Sequence, residues 1–296
     1  MANTILKKLL SKNFVLTDGG WGTEFQKHGL PPGKHPDQCN LDAPQMVLEV
    51  AKSYVAAGAD VILTNTFGSS RFVLEKHGLA DKVEEINRRG AELSVEAASS
   101  SDRDVAVFAS VGPTGIMLML GEVSEQEIYD GYLQQITALK EGGVDGVVVE
   151  TSSDPKEASL AAKAAKSLDL IVVVSAVFDS GRKKDRTMMG ATPEAYVQAS
   201  LEAGADVVGS NCGRGIEGFH EICKRMREAA PNIPIWMKGN AGLPETIDGQ
   251  TVYSQTPEAF ADGAMALAEE GAKFIGGCCG TTPAFIAELR RRIDAR

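Results

Sequence analysis

Ala203-Gly204-Ala205-Asp206-Val207-Val208-Gly209-Ser210-Asn211-Cys212 compresses a helix end, a turn and a strand into one short stretch. A glycine at the left-handed position stops the helix, and the β-branched pair that follows reads as extended chain. The phrase recurs at Ala57-Gly58-Ala59-Asp60, Glu141-Gly142-Gly143-Val144-Asp145 and Glu270-Gly271-Ala272-Lys273, each time before a strand-like run. Working outward, strands are expected at 14–18, 60–65, 105–110, 146–150, 170–178, 206–211, 233–239 and 274–277. Helical stretches lie between them, among them 125–141, 156–166, 193–202 and 257–269, and Pro155, Pro193, Pro257 and Pro283 mark first helical turns. Eight strand–helix alternations without a linker predict an α/β fold, a (β/α)8 TIM barrel, as a single domain over 1–296. A doubly wound sheet is the runner-up, because alternation alone does not show closure.

The composition narrows the partners. A chain of 296 residues with 43% hydrophobic side chains can bury a large core, and a formal charge of −10 argues against nucleic acid or an anionic membrane. Five cysteines, two of them adjacent, suit a reducing compartment and metal ligation better than a disulfide framework. The opening Met1-Ala-Asn-Thr-Ile-Leu-Lys-Lys-Leu-Leu10 is too short in apolar residues for a signal peptide, and no run is long enough for a membrane span. A cytoplasmic protein is expected.

In a barrel the chemistry gathers where strands end. Asp18-Gly19-Gly20, Thr64-Asn65-Thr66, Glu150-Thr151, Cys212, Asn240 and Cys278-Cys279 all fall at such ends. Three thiols from two strands can hold zinc with one position left open, a catalytic rather than a structural pattern. Neighbouring side chains of a strand point to opposite faces, so Cys278 and Cys279 share a metal only if the backbone bends, which Gly276, Gly277 and Gly280 permit. Zinc on three thiolates carries a net charge of about −1 and suits binding a further thiol as thiolate. Alkyl transfer to a substrate thiol is the implied reaction. Asp18 and Glu150 could hold an ammonium, and the Gly19-Gly20 amides a carboxylate. Together these describe an amino-acid thiol such as homocysteine.

Other motifs carry less. Gly213-Arg214-Gly215-Ile216-Glu217-Gly218 matches a dinucleotide fingerprint, but the next strand ends Lys238-Gly239-Asn240 without the required acid. Ile116-Met117-Leu118-Met119-Leu120 either packs under the rim or lines a face that meets a methyl donor. Arg182-Lys183-Lys184-Asp185-Arg186 reads as a solvated loop, with docking as the alternative. The four histidines lack metal spacing with the cysteines, and Cys39 and Cys223 are read as bystanders.

The chain resembles the homocysteine S-methyltransferase family. The matching segments include Thr17-Asp18-Gly19-Gly20-Trp21-Gly22-Thr23, Val111-Gly112-Pro113-Thr114, Val149-Glu150-Thr151, Gly209-Ser210-Asn211-Cys212-Gly213, Gly239-Asn240-Ala241-Gly242-Leu243-Pro244 and Gly277-Cys278-Cys279-Gly280-Thr281-Thr282-Pro283. Within the family it is most similar to the homocysteine module of cobalamin-dependent methionine synthase. The resemblance implies methyl transfer to homocysteine with Zn2+ on Cys212, Cys278 and Cys279, and with Asn240 supplying an oxygen to the metal when no substrate thiol is there. It implies Asp18, Gly19, Gly20, Glu150 and Asn65 as the substrate-binding set. No folate or cobalamin module is expected after the barrel, so methylcobalamin on a separate corrinoid protein is the expected donor. The alternatives are a small sulfonium or betaine donor, a different thiol acceptor, or a non-catalytic homocysteine-binding subunit. Gly213-Arg214 departs from the apolar pair expected after Cys212.

Overall fold

A computed structural model describes residues 2–31, 33–247 and 250–295. The strands are β1 (Val15–Leu16), β2 (Val61–Leu63), β3 (Ala106–Val111), β4 (Gly146–Ser152), β5 (Ile171–Ala176), β6 (Val207–Gly215), β7 (Ile235–Asn240), β8 (Pro244–Ile247), β9 (Gln250–Tyr253) and β10 (Phe274–Gly277). Eight of them form one parallel sheet in the order β1-β10-β7-β6-β5-β4-β3-β2, while β8 and β9 make a separate antiparallel hairpin. A parallel bridge between Thr17 and Val61 joins the sheet's two ends. The Asp18 N–H donates to the Val61 carbonyl there at 3.1 Å. This closure decides for the barrel and against the doubly wound sheet.

The repeated glycine phrase does what its chemistry requires. Gly58, Gly143, Gly204 and Gly271 have φ of 102°, 96°, 89° and 103°, a region a side chain would resist. Proline opens the helices Pro155–Ser167, Pro193–Glu202, Pro257–Glu269 and Pro283–Asp294, each capped by the preceding Asp154, Thr192, Thr256 or Thr282. None of the described helices is long and apolar enough to cross a membrane.

Strand alternation divides the barrel interior into two layers. The lower one is apolar, with Val15, Val61, Phe108, Val148, Val173, Val207, Trp236 and Phe274 in one cluster. Helix Ala2–Leu10 plugs its amino end, with Leu9 in that cluster and Ile5, Leu6 and Leu10 against it. Two or four residues further along the same strands stand Ser110, Glu150, Ser175, Asn211 and Lys238, all buried. This polar layer is the floor of the carboxyl-end mouth.

The β8–β9 hairpin falls outside the eight expected strands, and two strands overrun their expected ends by more than one residue. β4 and β6 do not stop at Glu150 and Asn211 but run on through irregularities, between Val149 and Ser152 and between Asn211 and Gly215. Inside them Thr151 and Cys212 have φ of 56° and 60°, left-handed values for residues with a Cβ. Such residues cost of order 1–3 kcal/mol each, and bulges that re-aim a side chain gather beside functional sites.

Candidate metal centre and substrate cavity

The thiols of Cys212, Cys278 and Cys279 lie within 4.8 Å of one another. Cys212 reaches this position from the β6 bulge. The vicinal pair gets there because β10 ends at Gly277 and the chain turns at once: the Thr281 N–H donates to the Cys278 carbonyl at 3.1 Å. Gly280, third residue of that turn, has φ of 81°, the left-handed value that a type II turn demands. The strand alternation that would have parted the two thiols is thereby cancelled. Gly20 presses on the same turn so closely that a Cβ there would lie 2.5 Å from the Cys278 carbonyl oxygen.

The cluster fits a metal in donor type and in spacing. Cys212 Sγ and Cys279 Sγ are 3.8 Å apart. Two sulfurs at about 2.3 Å from one tetrahedral zinc would also be about 3.8 Å apart. At Cys212 a hydrogen bond with Cys278 acts to lower the pKa, but the bond with Cys279, burial and the Cys279 charge push it up to about 12. Uncompensated, the thiols resist ionisation; a bound cation reverses that preference. Asn240 is buried with its Oδ1 unpartnered, an oxygen without an acceptor's usual company.

These thiols line a cavity of about 390 Å3, walled also by Gly19, Gly20, Trp21, Phe25, Asn65, Phe67, Glu150, Thr151 and Lys238. Glu150 Oε1 accepts from Ser110 Oγ at 2.5 Å, whereas Oε2 has only Asn211 Nδ2 at 3.5 Å, so one carboxylate oxygen is left for a ligand. Burial raises the Glu150 pKa, opposed by the Lys238 charge and the Ser110 hydrogen bond. Asn211, beside the metal-ligand candidate, ties the floor together. Its Oδ1 accepts from the Thr151 N–H at 2.9 Å and Ser175 Oγ at 2.7 Å. Its Nδ2 donates to Thr151 Oγ1 at 2.7 Å and to Cys278 Sγ at 3.9 Å.

The other expected site residues are placed less directly. Asp18 is fully buried and absent from the cavity wall. Its Oδ2 accepts from the Leu63 N–H and Trp21 Nε1, both at 2.7 Å, and its Oδ1 accepts from Lys238 Nζ at 2.5 Å. The Gly20 N–H, expected to receive a carboxylate, already donates to the Thr281 carbonyl at 2.9 Å. Asn65 lines the cavity, but its Nδ2 is engaged with the Pro36 carbonyl at 2.9 Å and Asn40 Oδ1 at 3.0 Å, holding the wall. Asn240 is not among the residues that line the cavity. Sequence reasoning passed over Lys238, Ser110 and Asn211. Lys238 carried a signal, as the one charge in the apolar run Ile235-Trp236-Met237-Lys238.

Fold and site together define a barrel with a three-thiol cluster of metal-ligand type at its carboxyl-end mouth, beside an amino-acid-sized set of charges. The profile of the homocysteine S-methyltransferase family matches residues 15–293, and the chain belongs to that family. It is 29% identical over 300 residues to the methionine synthases of Mycobacterium tuberculosis and Mycobacterium leprae, covering 97% of this chain. It spans 25% of the length of those relatives. Among solved structures, the metallated form of the homocysteine methyltransferase MmuM from Escherichia coli aligns over 97% of this chain and 99% of its own, with a TM-score of 0.80 at 21% identity. Its oxidised form aligns over the same shares with a TM-score of 0.82 at 22% identity, and both show the common fold.

Proposed function

We propose that this chain methylates the thiol of homocysteine to give methionine, with zinc on Cys212, Cys278 and Cys279 and the methyl group delivered by a separate corrinoid protein in the cytoplasm. The observation that carries the reading is the three-thiol cluster on the wall of a cavity that also carries the Glu150 carboxylate and the Lys238 ammonium. Zinc held there would keep a substrate thiol ionised at neutral pH, where a free thiol is mostly protonated. Glu150 would receive the substrate ammonium through its open Oε2, and the unpartnered Asn240 Oδ1 would serve the metal when the substrate is away. Trp21, Phe25 and Phe67 would keep water from the thiol.

A macromolecular donor is favoured by the rim. Among the described residues, the large exposed hydrophobics are Phe67, Met117, Met119, Leu120, Met188, Met189, Leu243 and Val252. All eight follow barrel strands on the mouth side. Apolar side chains scattered by chance would not choose one end, and exposed apolar surface gathered on the loops of one end suits a protein partner.

The test supplies zinc-loaded protein and homocysteine with methyl-corrinoid protein, free methylcobalamin, S-methylmethionine or betaine. Methionine formed fastest with the corrinoid protein supports the proposal. Turnover with the sulfonium or betaine alone moves the donor assignment to small molecules, and binding without product from any donor leaves a binding subunit.

A further inference from the structure

Lys238 is a buried lysine that the transfer reaction leaves without a task. It lies on β7 two residues after Trp236, on the inward face, and is 2% exposed. Its Nζ donates to Asp18 Oδ1 and stands 5.8 Å from the Trp236 ring centroid. An ammonium has three N–H donors, and among the described residues this one has no other hydrogen-bond or ion-pair partner. A lysine is almost never fully buried unless paired, so the Asp18 contact explains why it can be there. It does not explain why Lys238 forms part of the cavity wall while Asp18 does not.

An amino-acid thiol brings a carboxylate as well as an ammonium, and a carboxylate taken out of water needs a cation or amide donors. Lys238 is the only lysine or arginine among the residues lining the cavity. Of the two amides expected to take the carboxylate, that of Gly20 is committed to Thr281, which leaves the Gly19 amide as the backbone donor that could share it with Lys238. The two acids nearest to Lys238 are not equivalent either: Asp18 has three donors on it, Glu150 an open oxygen. We infer that Lys238 recognises the substrate carboxylate, that Glu150 alone takes the ammonium, and that Asp18 is a positioning residue acting through Lys238. This inference rests on the homocysteine reading and sharpens it: the cavity selects zwitterions in one orientation, with the side-chain thiol directed to the cysteine cluster.

The test separates charge recognition from structural support. The ligands are homocysteine, 3-aminopropane-1-thiol, which lacks the carboxylate, and 4-sulfanylbutanoate, which lacks the amine. Each is titrated calorimetrically into zinc-loaded wild type, Lys238→Met and the double variant Asp18→Asn/Lys238→Met. The double variant guards against misfolding, since it removes the Asp18 charge that Lys238→Met alone would leave without its ion-pair partner, and zinc content is measured in all three proteins. Expected in both variants is a loss of at least about 10-fold in affinity for homocysteine and 4-sulfanylbutanoate, with 3-aminopropane-1-thiol within about 3-fold of wild type. A uniform loss across the three ligands, or no loss, overturns the inference and leaves Lys238 a structural counter-ion. Wild type that binds none of the three removes the homocysteine reading itself, and the assignment built on it.

Discussion

Replacing Glu150 by glutamine isolates one charge at the cavity floor. The amide keeps the size of the carboxylate and an oxygen for Ser110 Oγ, which donates to Oε1 at 2.5 Å. What changes is the second oxygen, near only Asn211 Nδ2 at 3.5 Å, which becomes an NH2 facing the substrate ammonium with donors against donors. A charge-assisted hydrogen bond is worth about 1.5–3 kcal/mol, so homocysteine affinity should fall on the order of 10- to 150-fold. The fold should not suffer. Burial raises the Glu150 pKa, so in the empty protein its ionised form is disfavoured relative to the unfolded chain. A carboxyl with a raised folded pKa contributes stability below its ordinary value of 4.5, and this is lost as pH rises through the folded value. The glutamine variant should lack that loss and, without substrate at neutral pH, melt no lower than wild type. Calorimetric titration of homocysteine into zinc-loaded protein, with metal analysis and thermal melts of the same samples, reads all three quantities. Unchanged homocysteine affinity at full zinc occupancy would refute the ammonium role.

Serine at Cys212, Cys278 or Cys279 should each abolish tight zinc retention, because a hydroxyl is a far poorer zinc donor than a thiolate; elemental analysis after dialysis reads this, and full retention in all three would remove the metal centre. Gly20→Ala should cost about 1–3 kcal/mol and lower zinc occupancy, because its Cβ would stand 2.5 Å from the Cys278 carbonyl oxygen; thermal melts and metal analysis together show whether the thiol turn has moved. Met119→Glu and Leu243→Glu, which alter exposed mouth residues, should cut the rate with a methyl-corrinoid protein on the order of 10-fold while leaving that with free methylcobalamin within about 2-fold. Equal losses with both donors would count against docking at this rim.

Much of the architecture was legible because it rests on local rules. Glycine at 58, 143, 204 and 271 is needed by the backbone itself, and prolines at 155, 193, 257 and 283 cannot sit much later than a first helical turn. The bend at Cys278-Cys279 was likewise written in its flanking glycines. What stayed hidden depends on partners far along the chain. Asp18 reads as a substrate-facing acid until the Leu63 amide, Trp21 and Lys238, 220 residues away, are found on its oxygens. The bulges in β4 and β6 leave no compositional mark, because Thr151 and Cys212 are not residues that announce a left-handed backbone. Lys238 was within reach: once Trp236 is taken as core, alternation places position 238 on the same inward face.

The two bulges and the polar layer are best understood as one device held by Asn211. Straight continuations of β4 and β6 would have alternated Thr151 and Cys212 away from the barrel axis. The left-handed turns bring both to the cavity wall at a cost that something nearby must offset. Asn211 supplies that offset on both strands. It bonds the Thr151 backbone and hydroxyl, takes the Ser175 hydroxyl, reaches Glu150 Oε2, and precedes Cys212 directly in the chain. Its amide also touches Cys278 Sγ at 3.9 Å, so the carboxylate proposed for the ammonium and the thiols proposed for the metal share one buried side chain. Their spacing is therefore set by the barrel floor and not by the mobile chemistry of a loop, which is what holding the two ends of one small substrate requires.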